Sequence, residues 1–293
     1  MSMESFTDLL TIAEDIALDA GQLLRAFYKR GVHAEYKGDV DIVTEADRAS
    51  EKLIVTRLHD RLPDHGVYGE EGTRSGLDKE YRWYVDPLDG TTNFAHGFPV
   101  FCVVLGCERR RPGLAADEDG EMVVGVIYDP LRDEMFSAAR GYGATLNGAP
   151  IHVSGTKLLQ ESLIATGFPS QKRHESPNVH FYQEFTLRSH GVRRAGSAAI
   201  DLAYVACGRL EGYWEFKLNP WDTSAGYLLV EEAGGKVTHF DGSKFTLDSR
   251  ETLATNGRIH KEMETLFGDM FAGRDLERIP TPAEFAAKRA AEK

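Results

Sequence analysis

The segment Trp83-Tyr84-Val85-Asp86-Pro87-Leu88-Asp89-Gly90-Thr91-Thr92-Asn93-Phe94 constrains this chain more than any other stretch. Its opening residues are aromatic and β-branched, which is strand composition. The strand ends at two carboxylates three residues apart. Gly90 then permits a tight turn, and two threonines start a helical turn. Hard divalent cations such as Mg2+ take oxygen ligands, a few carboxylates at a time. Backbone N–H groups at Gly90, Thr91 and Thr92 would face an anion, as helix N-termini do. One short segment can therefore hold both a cation and a phosphate. Read alone, it also suits an Asp-Gly turn with a threonine cap.

Several other chemistries fail on spacing. An EF-hand loop needs oxygen ligands at alternate positions and a terminal glutamate, but Leu88 and Gly97 stand there. A D-x-D pair for an aspartyl-phosphate is broken by Leu88. A cysteine phosphatase needs arginine six residues after its nucleophile, and Cys102, Cys107 and Cys207 are followed there by Glu108, Gly113 and Tyr213. No P-loop occurs, and the ten histidines show no zinc spacing such as H-E-x-x-H. Covalent catalysis on Asp or Cys has no support.

The net charge of −12 argues against nucleic acid or an anionic membrane as partner, since both need basic patches. It leaves an anionic substrate open, because a bound cation inverts the sign of an acidic pocket. Three cysteines cannot all pair within one chain, and reduced buried thiols suit a cytoplasmic protein. No basic segment followed by an apolar run marks a signal peptide, and no stretch is apolar enough to span a bilayer.

Apolar periodicity predicts a helix over residues 6–27 with Gly31 as its stop, and a second helix opening at Thr44, with Leu53, Ile54 and Leu58 inward. Arg82–Asp86, Phe101–Glu108, Met122–Tyr128 and Glu134–Ala139 read as strands, with an exposed loop at 109–120 and a tight turn at Asn147-Gly148. The second half alternates strands at 163–166, 192–194 and 212–216 with helices at 181–187, 197–206 and 222–233. A helix at 261–267 closes it. We expect a layered α/β fold with an antiparallel-rich middle. Residues 1–272 are expected to form a single domain, catalytic if the chemistry read above holds, with halves 1–152 and 153–272. A linker and short terminal helix, opened by Thr281-Pro282-Ala283-Glu284, fill 273–293.

More acidic and basic residues invite chemistry. Adjacent Glu70 and Glu71, between Gly69 and Gly72, repel unless a cation is near, though a solvated turn would also hold them. Thr44-Glu45-Ala46-Asp47 is a capping-box pattern, to which a role for Asp47 would be additional. Asp222 is a good N-cap for the helix it opens. Glu215 lies on the preceding strand, and Arg193-Arg194 stand just before Gly196-Ser197. Surface solvation would also explain the arginines.

Together and in order, D-I-V-T-E-A-D at 41–47, G-E-E at 69–71, W-Y-V-D-P-L-D-G-T-T-N-F at 83–94, R-R-A-G-S-A-A at 193–199 and W-D-T-S-A-G-Y at 221–227 resemble the inositol monophosphatase family. The resemblance spans residues 6–270 and is closest to the bacterial inositol-1-monophosphatases. It implies an α-β-α-β-α sandwich of the inositol monophosphatase/fructose-1,6-bisphosphatase type, and Mg2+-dependent hydrolysis of a phosphomonoester, inositol 1-phosphate first, by a metal-activated water. Fructose 1,6-bisphosphate, histidinol phosphate and 3′-phosphoadenosine compounds are the alternatives. It also implies roles. Glu70, Asp86 and the Leu88 carbonyl would hold one Mg2+, with Thr91 near; Asp86, Asp89 and Asp222 would hold a second, and a third would sit near Glu70. Thr91 and Asp47, with Glu70, would orient and deprotonate the water. Asp89, Gly90, Thr91, Ser197, Ala198 and Asp222 would frame phosphate and substrate, with Arg193 and Glu215 toward the polyol. The resemblance further implies a homodimer and, as some bacterial members do, a protein contact with the transcription machinery.

Overall fold

The structure is a computed structural model that describes residues 5–31, 34–36, 42–111, 120–168, 176–274 and 277–291. Asp41 and the 112–119 part of the charged loop lie outside the described residues. The first helix, α1 (Phe6–Arg30), begins where the Ser5 hydroxyl accepts from Thr7 N–H and ends at Gly31, whose φ of 77° needs glycine. Leu9, Ala13, Ile16, Ala17, Ala20 and Leu24 bury one face of it, each large aliphatic side chain contributing about 1.5–3 kcal/mol. A short antiparallel pair, β1 (Ala34–Tyr36) and β2 (Ile42–Thr44), leads into α2 (Glu45–Arg61). Thr44 caps α2 as expected. Its hydroxyl accepts from Ala46 N–H, while the Asp47 carboxylate accepts from Thr44 N–H. Ile54 and Leu58 point inward, and Leu53 is only half-buried.

Eight strands build the first sheet. They are β3 (Gly66–Gly69), β4 (Arg74–Ser75), β5 (Tyr81–Asp89), β6 (Cys102–Arg109), β7 (Glu121–Asp129), β8 (Glu134–Ala139), β9 (Gly143–Leu146) and β10 (Ala149–Ile151), in the order β10-β9-β8-β7-β6-β5-β3-β4. Their pairing is antiparallel except where β3 runs parallel to β5. The turn between β9 and β10 is the expected Asn147-Gly148, both at positive φ. After β5 comes the single-turn α3 (Thr91–Ala95), entered through Gly90 at φ 98°.

The second sheet has order β12-β11-β13-β15-β14, from β11 (Leu163–Thr166), β12 (Gly191–Arg193), β13 (Gly212–Phe216), β14 (Lys236–Thr238) and β15 (Glu251–Thr255). The helices between are α4 (Asn178–Arg188), α5 (Ala198–Ala206), α6 (Pro220–Glu232) and α7 (His260–Phe271), and α8 (Pro282–Ala291) follows. Side chains alternate along β5, so Trp83 and Val85 face α1 and α2 while Tyr84 faces α5 and α6. Beyond α5 and α6 lies the second sheet, whose far face packs Trp214 and Leu253 against Phe181, Phe185 and Phe267 of α4 and α7. The order of layers is α-β-α-β-α, as expected.

Two details correct the sequence reading. The strand through Trp83 does not stop at Asp86 but runs to Asp89, its pairing with β6 shifting between those two residues. Asp222 does not open its helix. Asn219 is the N-cap, Pro220 the first helical residue, and Asp222 the third, accepting from Asn219 N–H. A carboxylate three residues after a capping Asn closes a reciprocal box, which outcompetes Asp as a lone cap.

Helix α6 lies directly on the first sheet because glycines face it. A Cβ on Gly106 would stand 2.3 Å from Ser224 Oγ and 2.6 Å from Ser224 Cβ, and one on Gly125 would stand 2.8 Å from the Ala225 carbonyl oxygen. At the other extreme α8 buries none of its residues, though Thr281 and Glu284 cap it reciprocally as expected. Among the described residues no helix is long and apolar enough to cross a membrane.

Candidate functional site

Asp86, only 2% exposed, is the centre of the site. Burial first, then the charges of Glu70, Asp89 and Asp222, push its carboxyl well above the usual range. Those neighbours arrive from three elements: the β3–β4 turn, the end of β5 and the first turn of α6. The parallel register of β3 pairs Gly69 with Val85, and Glu70 N–H donates to the Val85 carbonyl at 3.0 Å, which sets Glu70 beside Asp86. In a regular strand, residues three apart face opposite sides. The shift in pairing between Asp86 and Asp89 breaks that rule and lets both acids serve one place.

Asp89 Oδ2 accepts from the Ser197 hydroxyl at 2.6 Å and from Ala199 N–H at 2.8 Å, so the start of α5 is fastened to the end of β5. Burial raises its pKa against those bonds. Asp222 is pushed up to about 7 by burial, and the Asp89 charge adds to the rise while its bonds from Asn219 oppose it. Leu88 N–H donates to Asp86 Oδ1 at 3.0 Å, and its carbonyl sits 3.1 Å from the Thr91 hydroxyl. That hydroxyl has one proton to give, to Leu88 or to Asp47 Oδ1 at 2.9 Å. Asp47 is buried and also accepts from both the Thr44 hydroxyl and N–H, yet burial outweighs these bonds and raises its pKa. Gly90 cannot be replaced without strain, since a Cβ there would meet the Val100 carbonyl at 2.8 Å.

Glu215 stands at the end of β13 with the Tyr213 hydroxyl donating to it. Burial lifts it to about 8 against that bond; Asp222 and Asp89 raise it further, and Arg194 pulls it down. The charges of two of the clustered acids, Asp222 and Asp89, thus reach it. Arg193 and Arg194 are both exposed, and it is the Arg194 charge that bears on Glu215 and Asp201. Asp201 escaped the sequence reading. It lies one turn beyond Ser197 in α5, 2% exposed, and is pushed well up by burial and by Glu215 and Asp89. Asn93 escaped as well: its amide reaches the carbonyls of Val100, Ala195 and Gly196, tying α3 to the segment before Ser197. The helical periodicity of Ser197 and Asp201 was a usable signal; nothing local marked Asn93.

The donors suit a hard divalent cation. They are carboxylate and carbonyl oxygens, and buried acids that raise one another's pKa gain most from positive charge. Among the described residues no three Asp, Glu, His or Cys side chains already close on one coordination point. The acids are gathered but turned to protein donors, as with Asp89 on Ser197 and Asp222 on Asn219. The three cysteines are free, and burial pushes the Cys102 thiol up, which removes it as a nucleophile. A cavity of about 800 Å3 opens elsewhere, between Arg110, Arg140, Tyr227 and Lys244, and contains none of the site acids.

Comparison with known proteins shows the family of the whole chain. The sequence model of the inositol monophosphatase family matches residues 6–268. An inositol-1-monophosphatase from Synechocystis sp. is 46% identical over 259 residues, 87% of this chain and 86% of that protein. Nus factor SuhB from Pseudomonas aeruginosa is 41% identical over 265 residues, 88% of this chain and 94% of that protein. The solved structure of inositol monophosphatase from Anabaena (Nostoc) sp. PCC 7120 superposes with a TM-score of 0.79 at 43% identity, covering 90% of this chain and 96% of that one.

Proposed function

Because the chain belongs to the inositol monophosphatase family and is a phosphatase, we propose that it hydrolyses a small phosphorylated polyol, inositol 1-phosphate first, with Mg2+. The observation that carries this reading is the convergence of Glu70, Asp89 and Asp222 on the buried Asp86. Glu70, Asp86 and the Leu88 carbonyl would hold one Mg2+, Asp86, Asp89 and Asp222 a second, and Glu70 would adjoin a third. When bound, the ions supply the positive charge that stabilises the attacking and leaving oxygens of an in-line displacement.

The protein's own residues do the rest. Asp47 holds the Thr91 hydroxyl, which turns the Thr91 oxygen toward the attacking water and gives that water's proton a route to Asp47. Backbone N–H groups at Gly90 and Thr91 and the start of α5 at Ser197-Ala198 frame the phosphate. Glu215 accepts hydrogen bonds from polyol hydroxyls, and Arg193 positions the substrate from the opposite side. No covalent enzyme intermediate is needed. The test is phosphate release from a panel of phosphomonoesters, with Mg2+ and with excess EDTA. Full turnover in EDTA would remove the metal reading, and preference for another monoester would replace inositol 1-phosphate. A cytoplasmic setting and a homodimer belong to the same reading, and sizing chromatography tests the dimer. Likeness to the protein named Nus factor SuhB supports a second role in contact with the transcription machinery, which a pull-down compared with a turnover assay tests.

A further inference from the structure

One buried carboxylate near the site has no part in the chemistry above. Glu51 lies on α2, one turn after Asp47, and is 5% exposed. Its Oε2 accepts from Glu71 N–H at 2.7 Å, and its Oε1 accepts from Thr73 N–H at 3.1 Å and from the Thr73 hydroxyl at 2.7 Å. The side chain lies flat on Gly69, where a Cβ would stand 2.4 Å from Oε2. The glycines of G-E-E-G thus make room for a carboxylate as well as a turn. Between Asp47 and Glu51, the Ser50 hydroxyl donates to the Pro87 carbonyl at 2.9 Å. Three adjacent residues on one face of α2 therefore hold the three segments that carry Thr91, the 86–89 ligands and Glu70.

We propose that Glu51 is a positioning residue: its carboxylate clamps the 70–73 turn and so holds the Glu70 side chain at the cation site. The proposal rests on the reading that Glu70 is a Mg2+ ligand. The β3–β4 hairpin pairs only two residues on each strand, and Gly69 N–H closes its turn on the Thr73 carbonyl at 2.9 Å; charge-assisted bonds from two backbone N–H groups and a hydroxyl add the hold of α2 to that short pairing. Through α2, the clamp gives Glu70 and Asp47 one rigid support. Groups that orient ligands in this way are worth about 10–100-fold in metal affinity.

Glu51→Gln keeps the size and one acceptor, and turns an N–H2 toward a backbone N–H. It should weaken Mg2+ binding by about tenfold in calorimetric titration, and speed hydrogen exchange at the Glu71 and Thr73 amides. Its kcat should return close to wild type at saturating Mg2+, because no ligand is lost. Glu70→Gln should weaken Mg2+ binding without that return. If Glu70→Gln leaves Mg2+ affinity unchanged, the ligand reading and the proposal both fall. If Glu70→Gln weakens binding but Glu51→Gln does not, only the clamp falls. A purely structural Glu51 would lower the urea midpoint while leaving Mg2+ affinity alone. Thr73→Val, which keeps the N–H and removes one donor, supplies the same comparison should Glu51→Gln not fold: a smaller loss of Mg2+ affinity supports the clamp, and none overturns it.

Discussion

Replacing Gly106 by alanine should separate the two halves of the acidic centre. The new Cβ would lie 2.6 Å from Ser224 Cβ, and carbon atoms pack at about 3.5–4.0 Å. Helix α6 must therefore retreat by about 1 Å. Asp222 rides on the first turn of that helix, two residues before Ser224, while Asp86 and Asp89 stay with the sheet. Overpacking costs about 1–3 kcal/mol, which urea denaturation should register. A 1 Å displacement costs on the order of a hundredfold in rate, so kcat should fall much further than stability alone implies. Rescue tests the cause. Ser224→Gly removes the clashing Cβ and Oγ, and that hydroxyl has no hydrogen-bond partner among the described residues. The double variant Gly106→Ala with Ser224→Gly should recover most of kcat and Mg2+ affinity while keeping a helix-propensity loss of about 1 kcal/mol. Gly125→Ala should resist such rescue, because it meets the Ala225 carbonyl and Cα. Wild-type kcat in Gly106→Ala, or a double variant as inactive as the single one, would refute the argument that helix-to-sheet spacing sets the site.

Asp86→Asn should cut kcat by at least about a thousandfold, because one carboxylate would bridge both ions, while the metal-free protein stays folded as crowding among the acids eases; near-normal kcat would end the bridging assignment. Thr91→Ala should lower kcat with Mg2+ affinity largely intact, whereas Asp222→Asn should weaken Mg2+ binding, and equal losses in calorimetry would show the roles exchanged. Asp222 and Glu215 are raised to about 7 and about 8, so each stabilises the metal-free fold fully below its ordinary value and loses that contribution as pH rises through the raised one. Urea melts in chelator should therefore show stability falling between about pH 5 and 8, and saturating Mg2+ should flatten the trend; a rise over that range contradicts it. Glu215→Gln should lower kcat/KM for inositol 1-phosphate and spare a plain aryl phosphate, since a hydroxyl's bond to a charged acceptor is worth about 1.5–3 kcal/mol and the amide keeps only a neutral one; a uniform change on both substrates would take Glu215 out of the site.

Much of the centre was legible because its chemistry is contiguous. Asp86, Leu88, Asp89, Gly90 and Thr91 share one strand end, and local rules for strands, turns and caps apply there directly. The long helix at the start and the antiparallel strands through Tyr128 and Ala139 were legible from apolar periodicity alone. What stayed hidden depends on contact between distant segments. The parallel pairing of β3 with β5, which seats Glu70, leaves no mark in either segment. Asn219 was passed over as a cap because Asp222 satisfied the rule by itself, and only geometry shows the two working as a pair. Arg194 and Arg193 are indistinguishable in sequence, yet it is the former's charge that lowers the raised pKa of both Asp201 and Glu215. Glu51 reads as one more solvated acid of an amphipathic helix until the 70–73 turn lands on it.

Helix α6 is shared property. It touches β5 through β8 on one side and β14 and β15 on the other, and its Ala225, Leu228 and Leu229 belong to a core fed by both sheets. Neither sheet can hide its inner apolar face without the partner that brings this helix or receives it. Residues 1–152 and 153–272, made as separate pieces, would each carry a bare sticky surface, and Asp222 would be parted from Glu70, Asp86 and Asp89. Brought together, they would bury those surfaces and reunite the acids at once. The fold is in this sense a natural split reporter, in which turnover announces that two fragments have met.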